Sequence, residues 1–351
     1  MTYPGTLLRA SQLFAKKELG QNFLADPNAA KRIVALAQIS KDDVVLEIGA
    51  GLGALTVPAA KQAAKVYAVE KDDRLIQLLL NEITAAGINN VELIHKDIFK
   101  VDIEEIARRE FSNIDDTAED IEKARIECMA DDRKPVRIEH MADDKKHVRG
   151  KLLVIGNLPY NISSQVLFRL VEKRAFVSRA ILMFQKELAQ RICAPPGGRD
   201  YGRLSAVMQY CSDVKTLTDV GAGLFFPKPD VESRVIEVNF FTPAPDPSGR
   251  LYFTDTYEES SFLGTKYNIS DYNLSLEQEI FLFKVIKAAF SKRRKTLRNS
   301  LAGSELELNK VQTEEGLNVA GIDPERRAET LGVTEFIDLT LAFWKISQEN
   351  R

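Results

Sequence analysis

The sequence has few of the residues from which metal sites and disulfide frameworks are built. Its 351 residues include only three cysteines and three histidines. The cysteines, Cys128, Cys193 and Cys211, are scattered, odd in number and not in the spacing of metal ligands. A metal site is therefore not expected, and such limited use of cysteine fits a reducing cytoplasm.

Long apolar stretches are also missing. No apolar run is long enough to cross a bilayer, so no membrane association is expected. The N-terminal segment lacks a secretory core, because Lys16, Lys17 and Glu18 interrupt it early. The composition, 44% hydrophobic and 28% charged, is typical of a soluble globular protein, and 351 residues are enough for two domains.

The chain also lacks a net positive charge, but its basic residues are concentrated locally. The net charge is −3, with −4 on residues 110–149 and −3 on residues 246–275, which leaves +4 on the remainder. A run of basic residues in a sequence can be an ordinary solvated face of a helix. A run that contains basic but no acidic side chains instead favours a phosphate-binding surface. Residues 281–303 contain no acidic side chain and seven basic ones, namely Lys284, Lys287, Lys292, Arg293, Arg294, Lys295 and Arg298.

Short apolar segments alternate with helical patterns over the first two thirds of the chain. Asp26-Pro27 is typical of a helix start, and residues 74–83 are predicted to form a further helix. Alternation of strands and helices predicts an α/β fold with a mostly parallel sheet and helices on both faces. The predicted strands are Val44–Ile48, Lys65–Glu70, Val91–His95, Leu152–Ile155, Ala180–Phe184 and Val235–Phe241.

A change of composition near residue 245 divides the chain into two predicted domains. The proline-rich run at 243–247 interrupts regular structure, and residues 276–346 show only helical patterns. We therefore expect a catalytic sheet domain over residues 1–245 and a smaller all-helical domain over residues 246–351.

Two segments interrupt this plan. Residues 105–149 are too long for an ordinary connection, and they contain a repeat in which the sequence of residues 129–132 recurs at 141–144. A small hairpin or a mobile flap is expected there. Residues 248–275 are rich in Tyr, Ser, Asp and Glu and are predicted to form an exposed loop.

A glycine-rich turn follows the first predicted strand, in the run Glu47-Ile48-Gly49-Ala50-Gly51-Leu52-Gly53. Its glycines allow backbone N–H groups to approach a ligand, and Glu70 ends the next strand, where a carboxylate can accept both ribose hydroxyls. The pattern also fits a dinucleotide fold, so an NAD enzyme is an alternative. Glu47 before the first glycine, and Asp97 after the third strand, favour S-adenosylmethionine.

The tetrapeptide Asn157-Leu158-Pro159-Tyr160 follows the fourth predicted strand. The Asn157 amide and the backbone near Pro159 offer acceptors to an exocyclic amino group, and the Tyr160 ring offers a face for stacking. Taken alone, these four residues also fit an ordinary turn. Together with the glycine turn, they indicate methyl transfer to the amino group of a nucleic acid base.

Several blocks of residues occur in an order that is typical of one family. Besides the glycine turn, Glu70, Lys96-Asp97 and the tetrapeptide, they are residues 19–24 (LGQNFL), 201–205 (YGRLS), 225–233 (FFPKPDVES) and 287–298 (KAAFSKRRKTLR). In these blocks the chain resembles the small-subunit rRNA adenine N6,N6-dimethyltransferases of the KsgA type. The resemblance implies a Rossmann-like class I methyltransferase sheet with a smaller C-terminal all-helical domain.

The resemblance also implies the cofactor, S-adenosylmethionine, and where it binds. Two residues of the N-terminal segment would close over it, and two glycines would approach its amino acid portion. Glu70 would hold the ribose, Asp97 and Ile98 would contact the adenine, and Asn157 would bridge cofactor and substrate. The complete set is Asn22, Leu24, Gly49, Gly51, Glu70, Asp97, Ile98 and Asn157.

For the substrate, the resemblance implies an adenine that leaves its stack to enter the pocket. Tyr160 and Phe225 would stack on its two faces, although a core aromatic is an alternative for Phe225. The catalytic residues would be Asn157, Leu158, Pro159, Tyr160 and Phe225. RNA phosphates would be contacted by Lys16, Lys17, Lys292, Arg293, Arg294, Lys295 and Arg298.

The activity that the resemblance implies is N6,N6-dimethylation of two adjacent adenosines near the 3′ end of 16S rRNA. The expected partner is a pre-30S particle, and the enzyme is expected to be a cytoplasmic monomer with a role in ribosome biogenesis. One alternative is a large-subunit rRNA adenine methyltransferase, against which the block at 287–298 argues. Another is a ribosome assembly factor for which catalysis is secondary.

Overall fold

The computed structural model of the chain describes residues 2–111, 151–241, 274–292 and 294–349, apart from the side chains of Lys17, Leu276 and Glu349. The predicted repeat, the boundary near residue 245, most of the predicted loop and Arg293 lie outside the described residues. These expectations therefore stay predictions.

A seven-stranded sheet forms the centre of the described part. Its strands are β2 (Val44–Ile48), β3 (Lys65–Glu70), β4 (Val91–His95), β5 (Leu152–Asn157), β6 (Val177–Gln185), β7 (Ser212–Val220) and β9 (Ser233–Phe240). A separate antiparallel pair consists of β1 (Phe23–Leu24) and β8 (Phe225–Phe226). Across the seven-stranded sheet the order is β4-β3-β2-β5-β6-β9-β7. Neighbours from β4 to β6 are parallel, and β9 is antiparallel to both of its neighbours.

The predicted α/β fold with a mostly parallel sheet is confirmed, and all six predicted strands are present. Strand β7 was not predicted. It lies at the edge of the sheet, pairs only with β9, and has just its two end residues buried. An edge strand of this kind needs little apolar sequence, so it leaves no clear hydrophobic signal.

The helices of the described part lie before, between and after the strands. Asp26 caps α2 by accepting from the Ala29 N–H at 2.7 Å, and Pro27 occupies the first turn, as predicted. None of the described helices is both long and apolar enough to cross a bilayer. The α-helices of the described part are α1 (Pro4–Ala10), α2 (Pro27–Leu36), α3 (Thr56–Ala60), α4 (Asp73–Ala85), α5 (Ile103–Glu110), α6 (Ser163–Glu172), α7 (Lys186–Ile192), α8 (Arg203–Cys211), α9 (Leu276–Ala289), α10 (Leu297–Leu301), α11 (Lys310–Val319) and α12 (Val333–Glu349).

Two apolar cores lie on opposite faces of the sheet, because successive side chains of a strand point to opposite sides. In β2, Leu46 and Ile48 belong to the first core, and Val45 belongs to the second. The first core continues into the C-terminal helices, where Leu282 and Phe336 are fully buried. The predicted helical region therefore shares one apolar core with the sheet part, and it contacts that part through α8.

A buried ion pair also joins the C-terminal helices to the sheet part. Arg174, which is 6% exposed, pairs with Glu279 of α9. The Tyr210 hydroxyl of α8 donates to the same carboxylate at 2.9 Å. Since loss of one partner would leave the other charge buried, this contact restrains α9 against α8.

Residues 105–110, which the sequence analysis assigned to the inserted segment, are the last part of α5. Ile106 and Ala107 are buried in the first core. Asp102 caps this helix by accepting from the N–H groups of Glu104 and Glu105, each at 3.1 Å. The predicted insert therefore overlaps a helix of the sheet domain, because an apolar helical face is needed to cover the sheet there.

Candidate functional site

The carboxyl ends of four adjacent parallel strands meet at one edge of the sheet. Gly49 follows β2, Glu70 ends β3, Asp97 follows β4 and Asn157 ends β5. These strands are neighbours in the order β4-β3-β2-β5, so the four residues lie side by side. A cavity of about 210 Å³ opens there. Ligands of open α/β sheets bind at this edge.

Most of the predicted site residues line this cavity. The predicted residues in its wall are Asn22, Gly49, Gly51, Glu70, Asp97, Ile98, Asn157, Leu158, Pro159 and Tyr160. Leu24 lines instead a smaller neighbouring cavity of about 30 Å³, which it shares with Glu47, Gly49, Gly51 and Asn157. Ten of the twelve residues predicted for catalysis or cofactor binding therefore lie in the wall of one cavity, while their individual roles stay predictions.

The glycine turn brings backbone close to the tetrapeptide. Gly49 and Gly51 have φ angles of +75° and +55°, which other residues rarely adopt. A Cβ atom on Gly49 would lie 3.7 Å from the Asn157 carbonyl oxygen, and one on Gly51 would lie 3.3 Å from the Phe23 ring. Side chains here would strain the turn and reduce the space that a ligand can use.

The Asn157 side chain is held in a fixed orientation. Its Nδ2 atom donates to the Asn22 carbonyl oxygen at 2.8 Å, across 135 residues of sequence. With the amino end of the amide occupied in this way, Oδ1 remains as an acceptor beside the cavity. The N-terminal segment thus sets the direction of the group that is predicted to hold the substrate amine.

Tyr160 is half-buried, and its hydroxyl lies 3.0 Å from the Ser233 hydroxyl at the start of β9. Burial raises the pKa of Tyr160 above its ordinary value, although the hydrogen bond to Ser233 opposes this rise. The phenol therefore stays neutral, and its ring is fixed at both ends.

Phe225 lies apart from the cavity. Its side chain is 4% exposed, and it packs in the second core beside Leu24, with which it pairs between β1 and β8. It is not among the residues that line the 210 Å³ cavity. The structure thus places Phe225 as the core aromatic of the alternative interpretation, and its stacking on a substrate base stays a prediction.

Glu47 carries a buried carboxyl group beside the glycine turn. It is 1% exposed, and its Oε2 atom has no hydrogen-bond partner among the described residues. Burial raises the pKa of Glu47 to about 8; hydrogen bonding to Thr56 opposes this rise, and the nearby Glu70 adds to it. Burying a carboxyl oxygen without a hydrogen-bond partner costs free energy. The Glu47 side chain lines the small cavity, together with Gly49 and Gly51.

The Glu70 carboxylate is surrounded by backbone donors. Oε2 accepts from the Gly51 N–H at 2.8 Å, and Oε1 accepts from the N–H groups of Lys71 and Asp72, both at 2.8 Å. Burial raises the pKa of Glu70, and these three donors lower it, with burial prevailing. The side chain is thereby fixed between the glycine turn and the end of β3.

Asp97 is paired across the cavity mouth. Lys71 lies 2.8 Å from its Oδ2 atom, and the Phe99 N–H donates to Oδ1 at 3.1 Å. Burial acts to raise the pKa of Asp97, but Lys71 and the Phe99 N–H together lower it below its ordinary value. The carboxylate is therefore ionised, and its remaining lone pairs can accept further hydrogen bonds.

Other cavity residues escaped the sequence analysis as site residues. Gln21, Lys71, Lys96 and Phe99 line the cavity. Gly156 lies directly before Asn157, and a Cβ atom there would lie only 2.8 Å from the Ile48 carbonyl oxygen. The four lining residues each adjoin a predicted site residue in sequence. Gln21 and Lys96 also lie in the blocks that carry the family resemblance, so position in the sequence was the signal that could have indicated them.

The basic residues differ in how free they are. Arg294 and Lys295 are exposed, and Lys292 is exposed but its ammonium donates to the Asn299 carbonyl at 3.3 Å. Arg298 pairs with Glu325 at 2.9 Å and with Glu314 at 3.4 Å. Both acids lie outside residues 281–303, which explains why the sequence pattern missed them. Contact of these residues with RNA stays a prediction.

Lys16 lies 3.7 Å from the buried Asp72, and the side chain of Lys17 is outside the described part.

Within the described ranges, no group of three or more His, Cys, Asp or Glu side chains could hold a metal ion.

Comparison with known proteins decides between the families that this geometry fits. Residues 13–264, more than two thirds of the chain, match the family described as ribosomal RNA adenine dimethylase. The chain belongs to this family. The predicted enzyme class, an S-adenosylmethionine-dependent rRNA adenine dimethyltransferase, is thereby confirmed, and the NAD alternative is excluded.

Relatives of this dimethylase can be matched to it over nearly their whole length. A protein from Desulforapulum autotrophicum, named ribosomal RNA small subunit methyltransferase A, is 51% identical over 346 residues, or 99% of this chain and 98% of the relative. A crystal structure of a dimethyladenosine transferase from Plasmodium falciparum covers 93% of this chain and 98% of its own, with 22% identity and a TM-score of 0.61.

The 23S rRNA methyltransferase ErmE has the same fold as well. Its crystal structure covers 92% of this chain and 99% of its own, with 18% identity and a TM-score of 0.55. Similarity at this level concerns the fold alone. The fold therefore does not distinguish methylation of one ribosomal subunit from methylation of the other.

The site of this dimethylase fits S-adenosylmethionine. The cofactor is cationic at its sulfur. The carboxyl groups of Glu70 and Asp97 line the larger cavity, and that of Glu47 lines the smaller cavity beside the glycine turn. The unpaired Oε2 atom of Glu47 offers an acceptor beside the turn. Glu70 and Asp97 offer further acceptors in the larger cavity, and their contacts with ribose and adenine stay predictions.

Proposed function

We propose that this dimethylase methylates N6 of adenines in small-subunit rRNA, twice on each of two adjacent adenosines near the 3′ end of 16S rRNA. The substrate is a pre-30S particle, and the enzyme works as a cytoplasmic monomer that contributes to ribosome biogenesis. The 51% identical relative, whose name specifies the small subunit, supports this choice of subunit. The basic residues at 292–298 supply the charge that an RNA partner requires.

One observation carries the chemical part of the proposal. The Asn157 amide is fixed by the Asn22 carbonyl at 2.8 Å and lies in the wall of the same cavity as Gly49, Glu70 and Asp97. A substrate amine and the cofactor can therefore meet in one cavity. This arrangement fits transfer between two bound molecules without a covalent enzyme intermediate.

Asn157 and the backbone next to it orient the amine. Adenine N6 is a weak nucleophile because its lone pair is delocalised into the ring. Oδ1 of Asn157 accepts one N–H, and a backbone carbonyl accepts the other. The Pro159 carbonyl already accepts from the Ser163 hydroxyl at 2.9 Å and the Ile162 N–H at 3.1 Å, so we assign the second acceptor to Leu158.

S-adenosylmethionine supplies a methyl group on a positively charged sulfur. Two acceptors on the amine favour a pyramidal nitrogen whose lone pair points out of the ring plane. Orientation of this kind is worth about 7–11 kcal/mol in well-aligned pairs. A neutral amide at position 157 also avoids an anion that would stabilise the cation more before transfer than during it.

The ring of Tyr160 provides a face on which the adenine can stack. Stacking on an aromatic side chain is worth on the order of 1–3 kcal/mol per base. The ring is half-buried and tied to Ser233, so little side-chain freedom is lost when a base binds. Tyr160 therefore fixes the plane of the base, while Asn157 fixes its edge.

Identification of the modified nucleoside tests this proposal. The protein and a labelled methyl donor are incubated with undermethylated 30S-type particles and, separately, with 50S-type particles. We expect N6,N6-dimethyladenosine in the small-subunit digest alone. Label confined to the 50S sample would assign the enzyme to the large subunit, and no dimethyladenosine in either sample would refute the proposed reaction.

The Asn157→Ala variant separates catalysis from an assembly role. We expect methylation to fall at least about 100-fold, because a misplaced reacting group costs this much. If subunit maturation is normal with this variant but fails on deletion of the gene, then binding to the particle is the dominant role. A maturation defect equal to that of the deletion would make methylation the dominant role.

A further inference from the structure

Residues 16–22, which we call the N-terminal strap, form one side of the cofactor cavity. Residues 18–22 line the cavity. Two contacts hold this side of the strap against the tetrapeptide region. The Asn161 Nδ2 atom donates to the Glu18 carbonyl at 3.2 Å, and the Asn157 Nδ2 atom donates to the Asn22 carbonyl at 2.8 Å.

The other side of the strap is held by one carboxylate, that of Asp72. The Gln21 Nε2 atom donates to Asp72 Oδ2 at 2.8 Å, and the Lys16 ammonium lies 3.7 Å from Oδ1. Within the strap, the Lys16 N–H donates to Gln21 Oε1 at 2.8 Å. Asp72 thus contacts the first residue of the strap and the side chain of Gln21 at once.

Asp72 is itself fixed by Arg74. The Arg74 Nε and Nη2 atoms donate to the two oxygens of Asp72 at 2.8 and 2.6 Å. The Arg74 Nη1 atom also donates to the Phe14 carbonyl at 3.4 Å, just before the strap. A paired guanidinium and carboxylate of this geometry is a strong and directional contact.

The groups around Asp72 favour its ionised form. Its side chain is fully buried, yet hydrogen bonding to Arg74 holds its pKa far below the ordinary value against the effect of burial, with further help from Gln21. A buried carboxylate with several donors becomes costly to neutralise, because the donors lose their acceptor.

Asp72 is also joined to the cofactor side of the site through its backbone. Its N–H donates to Glu70 Oε1 at 2.8 Å, and Glu70 lines the cavity, whereas Asp72 does not. The residue that is predicted to hold the ribose and the residue that holds the strap are therefore two positions apart and share one hydrogen bond.

We propose that Asp72 is a positioning residue that fixes the N-terminal strap over the cofactor cavity and thereby sets how tightly and how long the cofactor is held. It acts through Gln21, Lys16 and Arg74 and does not touch the cofactor. The inference rests on the proposed function only for the identity of the ligand, S-adenosylmethionine.

The test measures cofactor binding without RNA. In the Asp72→Asn variant, the dissociation constants of S-adenosylmethionine and S-adenosylhomocysteine are determined by calorimetry. We expect both to rise at least about tenfold, through faster dissociation, because a charge-assisted contact is lost. The matched control is Asp73→Asn, since Asp73 is exposed and its Oδ1 accepts only from the backbone N–H of Arg74 in the contacts around the strap.

A second readout follows the strap itself. We expect trypsin to cleave after Lys16 faster in Asp72→Asn than in the unchanged protein or in Asp73→Asn, and circular dichroism to show the same helix content in all three. The double variant with Gln21→Ala is expected to bind the cofactor no more weakly than Asp72→Asn alone, because both changes remove one contact.

Unchanged dissociation constants and an unchanged cleavage rate in Asp72→Asn would overturn the role of Asp72 and leave the proposed function standing. Additive losses in the double variant would also overturn it, since they would mean that Asp72 does not act through Gln21. Failure of the unchanged protein to bind S-adenosylmethionine would instead refute the proposed function.

Discussion

The hydroxyl groups of Tyr160 and Ser233 lie 3.0 Å apart, which links the tetrapeptide after β5 to the first residue of β9. Ser233 is fully buried and follows the segment of residues 225–232 that contains Pro227 and Pro229. The ring that is proposed to carry the substrate base is therefore held by a strand that is remote in sequence.

Loss of this hydrogen bond is expected to slow methyl transfer without weakening cofactor binding. A hydrogen bond of this kind is worth about 0.5–1.5 kcal/mol, so Ser233→Ala should reduce kcat by about 2–10-fold. Tyr160→Phe, which keeps the ring, should show the same loss, and the double variant should be no slower. Tyr160→Ala, which removes the ring, should raise the KM for RNA more strongly. Calorimetry that shows weaker S-adenosylmethionine binding in Ser233→Ala would contradict a role confined to the ring.

Glu47 is expected to make stability depend on pH. Burial raises its pKa to about 8 from an ordinary 4.5, with Thr56 and Glu70 as the neighbouring polar and acidic groups. The folded protein therefore retains a proton that the unfolded chain releases. The stability from this group is complete below the unfolded pKa and is lost as the pH rises through the folded pKa, by at most about 1.4 kcal/mol per pH unit.

The Glu47→Gln variant cannot ionise at this position, so its free energy of unfolding should fall less between about pH 5 and about pH 8. Denaturant titrations across this range measure the difference, with the exposed Glu105→Gln as the control. Parallel curves for Glu47→Gln and the unchanged protein would mean that Glu47 is ionised throughout.

Gly156 is expected to tolerate no side chain. A Cβ atom there would lie 2.8 Å from the Ile48 carbonyl oxygen and 3.1 Å from the Leu158 side chain. Gly156→Ala should therefore push β5 from β2 where Asn157 and Gly49 meet, at a cost of about 1–3 kcal/mol. Thermal unfolding and S-adenosylmethionine binding should both weaken. Gly223→Ala, where a Cβ atom meets nothing within 4 Å, is the control, and equal effects of the two changes would contradict the steric explanation.

The exposed cations are expected to contribute unequally to RNA binding. Replacement of Arg294 or Lys295 by Ala should reduce the slope of log affinity against log salt by about 1 for each residue. Arg298→Ala should change the slope less, because Glu314 and Glu325 already offset its charge. Filter binding of a small-subunit rRNA fragment over a range of salt concentrations measures the slopes, with the exposed Lys310→Ala as the control. Equal slopes for all four variants would argue against a specific role of residues 294–295.

Much of the site followed from strand ends that can be recognised in the sequence. Gly49, Glu70, Asp97 and Asn157 each come at or just after an apolar run, and parallel strands end at one edge. The same reasoning missed β7, whose polar sequence needs only one neighbour, and placed the beginning of the insert inside α5. The family resemblance, rather than any strand end, implied a place beside the substrate for Phe225. The structure buries this side chain in the second core, and its stacking on a base stays a prediction.

Six of the seven strands, the glycine turn and the chemistry of the tetrapeptide could be read from the amino-acid sequence, because periodicity, backbone freedom and side-chain type are local properties. Three contacts became visible only in the folded chain: Asn22 orients Asn157, Ser233 holds Tyr160 and Asp72 holds the strap. The hydrogen bonds concerned are remote in sequence. They join Asn157 to Asn22 across 135 residues, Tyr160 to Ser233 across 73, and Gln21 to Asp72 across 51. A single contact between distant polar side chains leaves no repeating pattern along the chain, so it exists only once the strands have brought its two partners together.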